Sequence, residues 1–86
     1  MPKIEIYSTT VCPFCVRAKM LLDKKKVSYT EYNLTHNPEL RDQMLARANG
    51  RKTVPQIFID GRHVGGCDDL YELDLEGQLD PLLVDP

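Results

Sequence analysis

The chain has 86 residues, 42% of them hydrophobic, with 11 basic and 13 acidic side chains and a formal charge of −2. That length holds one domain, over residues 1–86, with an ordinary apolar core. No basic stripe is interleaved with aromatics as a nucleic-acid surface would be, and no segment approaches the roughly 20 apolar residues that span a bilayer. The start, Met1-Pro2-Lys3-Ile4-Glu5-Ile6-Tyr7, is a charged strand pattern and not a signal peptide. A cytoplasmic protein without nucleic-acid or membrane partners is expected.

Residues 3–7 alternate, Ile4 and Ile6 against Lys3 and Glu5, which predicts a half-buried strand. Ser8-Thr9-Thr10-Val11 is the loop that follows. A helix is predicted over 13–25, with Pro13 in its first turn, where the missing N–H costs nothing. Cys15, Ala18 and Leu22 share its inner stripe, with Leu21 beside them. Lys24-Lys25-Lys26 reads as its solvated, dipole-complementing end. A second strand covers 27–33. Asn37 is expected to cap a helix that opens at Pro38, runs to about Ala48 and stops at Asn49-Gly50. The unbroken run Ile57-Phe58-Ile59 predicts a strand covered on both faces, within 56–60. Asp60-Gly61 is a two-residue hairpin turn, and residues 62–64 return antiparallel until Gly65-Gly66. A last helix begins near Cys67-Asp68-Asp69 and stops around Gly77. Pro81 to Pro86 reads as a tail, with a docked turn through Leu82 and Leu83 as an option. The order β-α-β-α-β-β-α makes this an α/β chain, its first two strands in a right-handed parallel unit. A four-stranded mixed sheet with helices on both faces buries every apolar stripe.

The chemistry centres on Cys12-Pro13-Phe14-Cys15. A cysteine at a helix N-terminus faces unpaired N–H groups and the positive end of the dipole, both of which favour thiolate, the reactive species. Cys12 sits at the exposed end and Cys15 turns inward, so Cys12 is the expected nucleophile and Cys15 the residue that closes a disulfide behind it. A CxxC pair also supplies half of a zinc site. The remaining candidates, Cys67, His36 and His63, lack paired ligand spacing, and no metal is expected. Three cysteines, an odd count, argue against a structural disulfide framework. Gly65-Gly66-Cys67-Asp68-Asp69 offers close backbone approach and a helix N-terminus to an anionic ligand. Asp68 or Asp69 can take a ligand's ammonium, or one of them simply caps the helix. Cys67 reads as a small buried residue, His36 as a loop residue and His63 as a hairpin residue. The four tyrosines read as packing residues with wet tips.

Taken together, Glu5-Ile6-Tyr7, Cys12-Pro13-Phe14-Cys15, Arg17-Ala18-Lys19, the run Thr53-Val54-Pro55-Gln56-Ile57-Phe58-Ile59 and Gly65-Gly66-Cys67-Asp68-Asp69-Leu70 resemble the glutaredoxins of the small bacterial dithiol kind, the glutaredoxin 3 class. The match runs over essentially the whole chain, and the TVP and GG-C-D-D segments are its most specific parts. The resemblance implies a thioredoxin fold with Pro55 cis beside the active cysteines. It implies glutathione as reducing co-substrate, bound along Pro13, Phe14, Thr53, Val54, Pro55, Gly66, Cys67 and Asp68. Within that set Val54 pairs with the glutathione backbone by strand-like augmentation, and Cys67 and Asp68 receive the γ-glutamyl group. Two departures stand out. Phe14 replaces a common tyrosine. Thr9 stands where the family carries a basic residue three positions before the first cysteine, so Arg51 or Lys52 is expected to cover part of that cation's role.

The function implied is a glutathione-dependent thiol–disulfide oxidoreductase, monomeric. It reduces protein disulfides through both cysteines and glutathione mixed disulfides through Cys12 alone. Its partners are glutathione and disulfide-containing or glutathionylated proteins, with ribonucleotide reductase as a family candidate. Two rivals remain. One is an iron–sulfur cluster carrier, against which Pro13 and Cys15 both argue. The other is a redoxin recycled by thioredoxin reductase, for which the GG-C-D-D segment would have no ligand to hold.

Overall fold

A computed structural model describes residues 2–84. The elements are β1 (Ile4–Ser8), α1 (Pro13–Lys24), β2 (Thr30–Asn33), a 3₁₀ turn (Pro38–Leu40) running into α2 (Arg41–Arg47), β3 (Gln56–Ile59), β4 (Arg62–Gly65), α3 (Cys67–Leu75) and a closing 3₁₀ turn (Asp80–Leu83). The four strands lie in the order β2-β1-β3-β4. β1 and β2 are parallel across α1, while β1–β3 and β3–β4 are antiparallel. Asp60 (φ 52°) and Gly61 (φ 81°) both take positive φ, as a tight hairpin turn requires.

Pairing sets the two faces of the sheet. Ile4 lies opposite Ile59 and Ile6 opposite Ile57. This face receives Ala18, Leu21 and Leu22 of α1 and Leu70 of α3. The other face carries Tyr7 and Phe58 and receives Met44 and Ala48 from the α2 side. Each fully buried Ile, Leu, Met or Phe among these contributes roughly 1.5–3 kcal/mol. The mixed sheet with helices on both faces is therefore the one the element order predicts.

Four local expectations change. β1 is buried along its whole length, not half-buried, because it is an inner strand covered by α2 as well as by α1 and α3. Its second face hides Glu5, at 4% exposure, and Tyr7, whose tip is dry. Arg47 reaches across from α2 to bond both oxygens of Glu5, at 2.9 and 3.1 Å, and the Tyr7 hydroxyl at 2.9 Å. Tyr32 donates to Glu5 at 2.8 Å and Tyr7 to Gln43 at 2.6 Å. The Arg47 guanidinium also lies 4.1 Å over the Phe58 ring. Asn37 does not cap through its side chain. Its amide instead donates back to the Asn33 carbonyl, and the helix starts as a 3₁₀ turn. β2 begins three residues late, because Val27 and Tyr29 pack into the core from the preceding loop. Lys25, in the middle of the lysine run, is not simply solvated. It bonds Asp74 at 2.7 Å and Asp80 at 2.8 Å, joining the end of α1 to the end of α3 and the closing turn. That turn docks through the buried Leu79 and Leu83. The last two residues of the expected tail, Asp85 and Pro86, lie outside the described residues.

The buried ion pair has a pH signature. The Arg47 guanidinium bonds hold the Glu5 carboxyl below its ordinary value despite burial, and Tyr32 adds to this. A carboxyl with a depressed folded pKa contributes its stability above the unfolded value, about 4.3, and loses it as pH falls through the folded value. Urea unfolding is therefore expected to give a free energy that falls gently between about pH 7 and 5, because burial lowers the His63 pKa, and declines steeply below about pH 4. A profile that stays flat to pH 3 would contradict this.

Candidate active site

Cys12 is the extended residue immediately before α1 (φ −153°, ψ 99°), and Pro13 occupies the first helical position. The Cys12 sulfur takes the place of an N-cap oxygen, accepting the Cys15 backbone N–H at 3.1 Å. The two cysteines form a disulfide with Cα atoms 5.2 Å apart. Cys15 is sealed at 1% exposure on the inner stripe beside Ala18, while Cys12 is partly open, as the helical spacing predicts.

The second wall comes from residues 51–55, between α2 and β3. The Val54–Pro55 bond is cis, and the Val54 carbonyl oxygen lies 3.8 Å from the Cys12 sulfur. Gln56, fully buried at the start of β3, holds this wall. Its amide nitrogen donates to the Thr53 carbonyl at 2.9 Å and to the Thr53 hydroxyl at 3.1 Å.

The third wall is the start of α3. Gly65 (φ +120°) brings the chain in where no side chain fits, since a Cβ there would stand 2.8 Å from the Asp69 carboxyl carbon and 2.9 Å from Arg51 Nη1. Asp69 accepts the Gly66 N–H at 2.9 Å and pairs with Arg51 at 3.1 Å. The Gly66 bond, aided by Arg51, holds the Asp69 carboxyl below its ordinary value. The choice between the two aspartates is thereby made. Asp69 caps the helix, and Asp68 stays exposed with no hydrogen bond or ion pair among the described residues. Helix geometry leaves the N–H groups of Cys67 and Asp68 without intrahelical acceptors. Burial raises the Cys67 thiol above its ordinary pKa, consistent with an inert neutral sulfur.

Between these walls runs a groove of about 260 Å³, lined by Phe14, Thr53, Val54, Pro55, Gly66, Cys67 and Asp68, with Arg51 and Asp69. Pro13 is exposed and is not part of the lining. Of the two cations weighed as substitutes for the one missing at Thr9, Arg51 lines the groove and Lys52 does not. Chemically, the groove offers an apolar wall at Phe14, a strand-like backbone at Val54, one cation, one open carboxylate and a helix N-terminus; Cys12 is outside the lining, and its sulfur adjoins the groove at the Val54 carbonyl, 3.8 Å away. Gln56 and His63 were not read as site residues. Only the position of Gln56 directly after the proline could have drawn attention to it. Among the described residues no cluster of three or more His, Cys, Asp or Glu side chains could hold a metal ion, and no helix is long and apolar enough to cross a membrane.

Comparison with known proteins places this arrangement. The glutaredoxin family model matches residues 4–64. A probable glutaredoxin of Synechocystis sp. is 57% identical over 81 residues, 94% of this chain and 92% of that protein. Glutaredoxin 3 of Escherichia coli strain K12 is 55% identical over 83 residues, 96% of this chain and 99% of that protein. Among solved structures, a buckwheat glutaredoxin–glutathione complex superposes with a TM-score of 0.85 at 33% identity, covering 95% of this chain and 76% of that one. The glutaredoxin of Brucella melitensis gives 0.80 at 52% identity, covering 94% and 87%. With the fold thus shown to be the thioredoxin fold of these neighbours, and with sequence identity above half to relatives of matching length, the chain belongs to the glutaredoxin family.

Proposed function

We propose that this thiol–disulfide oxidoreductase draws its electrons from glutathione and works by two routes, the whole chain acting as one domain. In the first, the Cys12 thiolate attacks one sulfur of a protein disulfide. The substrate S–S bond breaks, and a mixed disulfide and a substrate thiolate form. Cys15 gives up its proton and attacks the Cys12 sulfur, releasing the second substrate thiolate and closing Cys12–Cys15. Two glutathiones then restore the dithiol, leaving oxidised glutathione. In the second, Cys12 alone takes glutathione from a glutathionylated cysteine and passes it to a second glutathione. Ribonucleotide reductase belongs to the class of substrate the first route serves.

The observation that carries this reading is the groove between the Val54 backbone and the N-terminus of α3, with the Cys12 sulfur 3.8 Å from the Val54 carbonyl oxygen. A γ-glutamyl tripeptide is complementary to it. Its cysteine backbone matches the extended edge at Val54, and its α-carboxylate suits the free N–H groups of Cys67 and Asp68. Its ammonium suits the open Asp68 carboxylate, and Arg51, paired with Asp69 beside Gly66, adds a cation near the α-carboxylate at that end. That the buckwheat relative forms a complex with glutathione supports glutathione as the co-substrate.

The test is reduction of a small glutathione mixed disulfide with NADPH, glutathione reductase and glutathione, in the absence of thioredoxin reductase. Steady NADPH consumption is the expected result. Consumption only when thioredoxin reductase replaces the glutathione system would overturn the reading in favour of a thioredoxin-like redoxin.

A further inference from the structure

His63 lies on β4, the edge strand, as the cross-strand partner of Phe58, and its ring stacks on Phe58 with centroids 5.0 Å apart. Its Nε2 is 2.7 Å from Gln56 Oε1. The roles in this contact follow from the far end of the chain of bonds. The Thr53 carbonyl can only accept, so the Gln56 nitrogen must face it. The Gln56 oxygen therefore faces His63, and Nε2 must carry a proton whether the ring is neutral or charged. Both N–H groups of the Gln56 amide are committed to Thr53, one to its carbonyl and one to its hydroxyl. With Gln56 fully buried, no water is at hand to replace a lost partner.

The consequence reaches the groove. Thr53 and Val54 form the wall that presents backbone to a ligand beside Cys12, and neither belongs to a regular element. Their placement rests on the Gln56 amide, and the orientation of that amide rests on His63. Remove the donor at 63 and the Gln56 oxygen is left buried without its partner. The amide is then free to rotate, and the bond to the Thr53 carbonyl is lost whenever it does.

We infer that His63 is a positioning residue for the glutathione groove, acting through Gln56 to hold the Thr53–Val54 backbone in its binding geometry. This rests on the glutathione reading above. His63 is not in the groove lining and makes no hydrogen bond to the cysteines, and the charged groups that face its ring are Arg51 and Asp69 of the groove, so its effect falls on binding and not on sulfur chemistry.

The experiment compares wild type, His63→Phe, His63→Leu and His63→Gln in the glutathione-coupled assay with glutathione varied. Phenylalanine keeps the stack on Phe58 and loses the donor. Leucine loses both, and glutamine returns an N–H at a similar reach. His63→Phe and His63→Leu are expected to raise KM for glutathione about three- to tenfold, the range for one lost hydrogen bond. The kcat at saturating glutathione and the rate of Cys12 alkylation by iodoacetamide should not move. His63→Gln is expected to recover most of the wild-type KM. In the ¹H–¹⁵N spectrum, the paired Gln56 side-chain amide signals should be protected from exchange in wild type and His63→Gln and lose that protection in the other two. An unchanged KM in His63→Phe, or failure of His63→Gln to recover it while the Gln56 signals return, would overturn the inference alone. A wild type that consumes no NADPH with glutathione and glutathione reductase would overturn the glutathione reading and this inference with it.

Discussion

Cys12→Ser is expected to reduce turnover of a glutathione mixed disulfide to the uncatalysed background, while Cys15→Ser keeps at least about half, since the attacking and leaving sulfurs of the monothiol route are untouched. The asymmetry follows from placement. Cys12 is the partly open residue at the helix start, with an N–H aimed at its sulfur. Cys15 is closed off beneath it at 1% exposure and can reach only a bond that Cys12 has already made. A hydroxyl at 12 offers no anion near neutral pH, so no exchange begins. With a protein disulfide as substrate the Cys15→Ser protein should instead stall. A covalent complex through Cys12 should then accumulate, visible as a shifted band on a non-reducing gel and released by dithiothreitol. Activity in Cys12→Ser together with inactivity in Cys15→Ser would reverse the roles assigned to the two sulfurs.

Arg47→Leu is expected to destabilise the fold by about 3 kcal/mol, the lower end for breaking a buried ion pair. The lower end applies because Arg47 keeps 28% of its side chain exposed while Glu5 keeps only 5%. For a chain of this length that corresponds to a fall in Tm of roughly 12–24 °C. The loss is the cost of a carboxylate left between β1 and α2 with Tyr32 as its hydrogen-bond donor and the Lys3 ammonium, 4.0 Å away, as its remaining cation. Two further results identify the cause. Glu5→Leu combined with Arg47→Leu should recover most of the loss, because an apolar pair needs no partners. The deficit of the single variant should also shrink as pH falls. Without Arg47, only Tyr32 and Lys3 still oppose the effect of burial on Glu5, so the variant gains less than the wild type from ionising that carboxyl and loses less when it is protonated. A deficit that is constant from pH 7 to pH 4 would point to lost packing and not to the stranded charge.

Local signals carried most of the site. Cys12, Pro13 and Cys15 could be placed from the start and stripe of one helix. Thr53-Val54-Pro55 entered the site through the family resemblance, and Gly65-Gly66-Cys67 could be placed as backbone punctuation at a helix start. The Glu5–Arg47 pair was not legible, because its partners are 42 positions apart and a charged residue in an alternating strand reads as solvent-facing. Only the inner position of β1 shows that both its faces are covered. Lys25 misled in the same way, since Asp74 and Asp80 approach it only through the packing of α3 and the closing turn on α1. Whether Asp68 or Asp69 caps α3 turned on a one-residue register at the helix start, which composition cannot set. His63 read as a hairpin residue because its donor role exists only once Gln56 is turned toward Thr53.

The backbone N–H of Cys15 pointing at the Cys12 sulfur has a thermodynamic side. Such a bond is stronger to an anion than to a neutral sulfur, so it lowers the energy of the dithiol form, where the anion exists, more than that of the closed disulfide. Whatever makes Cys12 quick to react therefore also makes the pair less eager to part with its two electrons. The first turn of one helix thus sets a compromise between speed and reducing power.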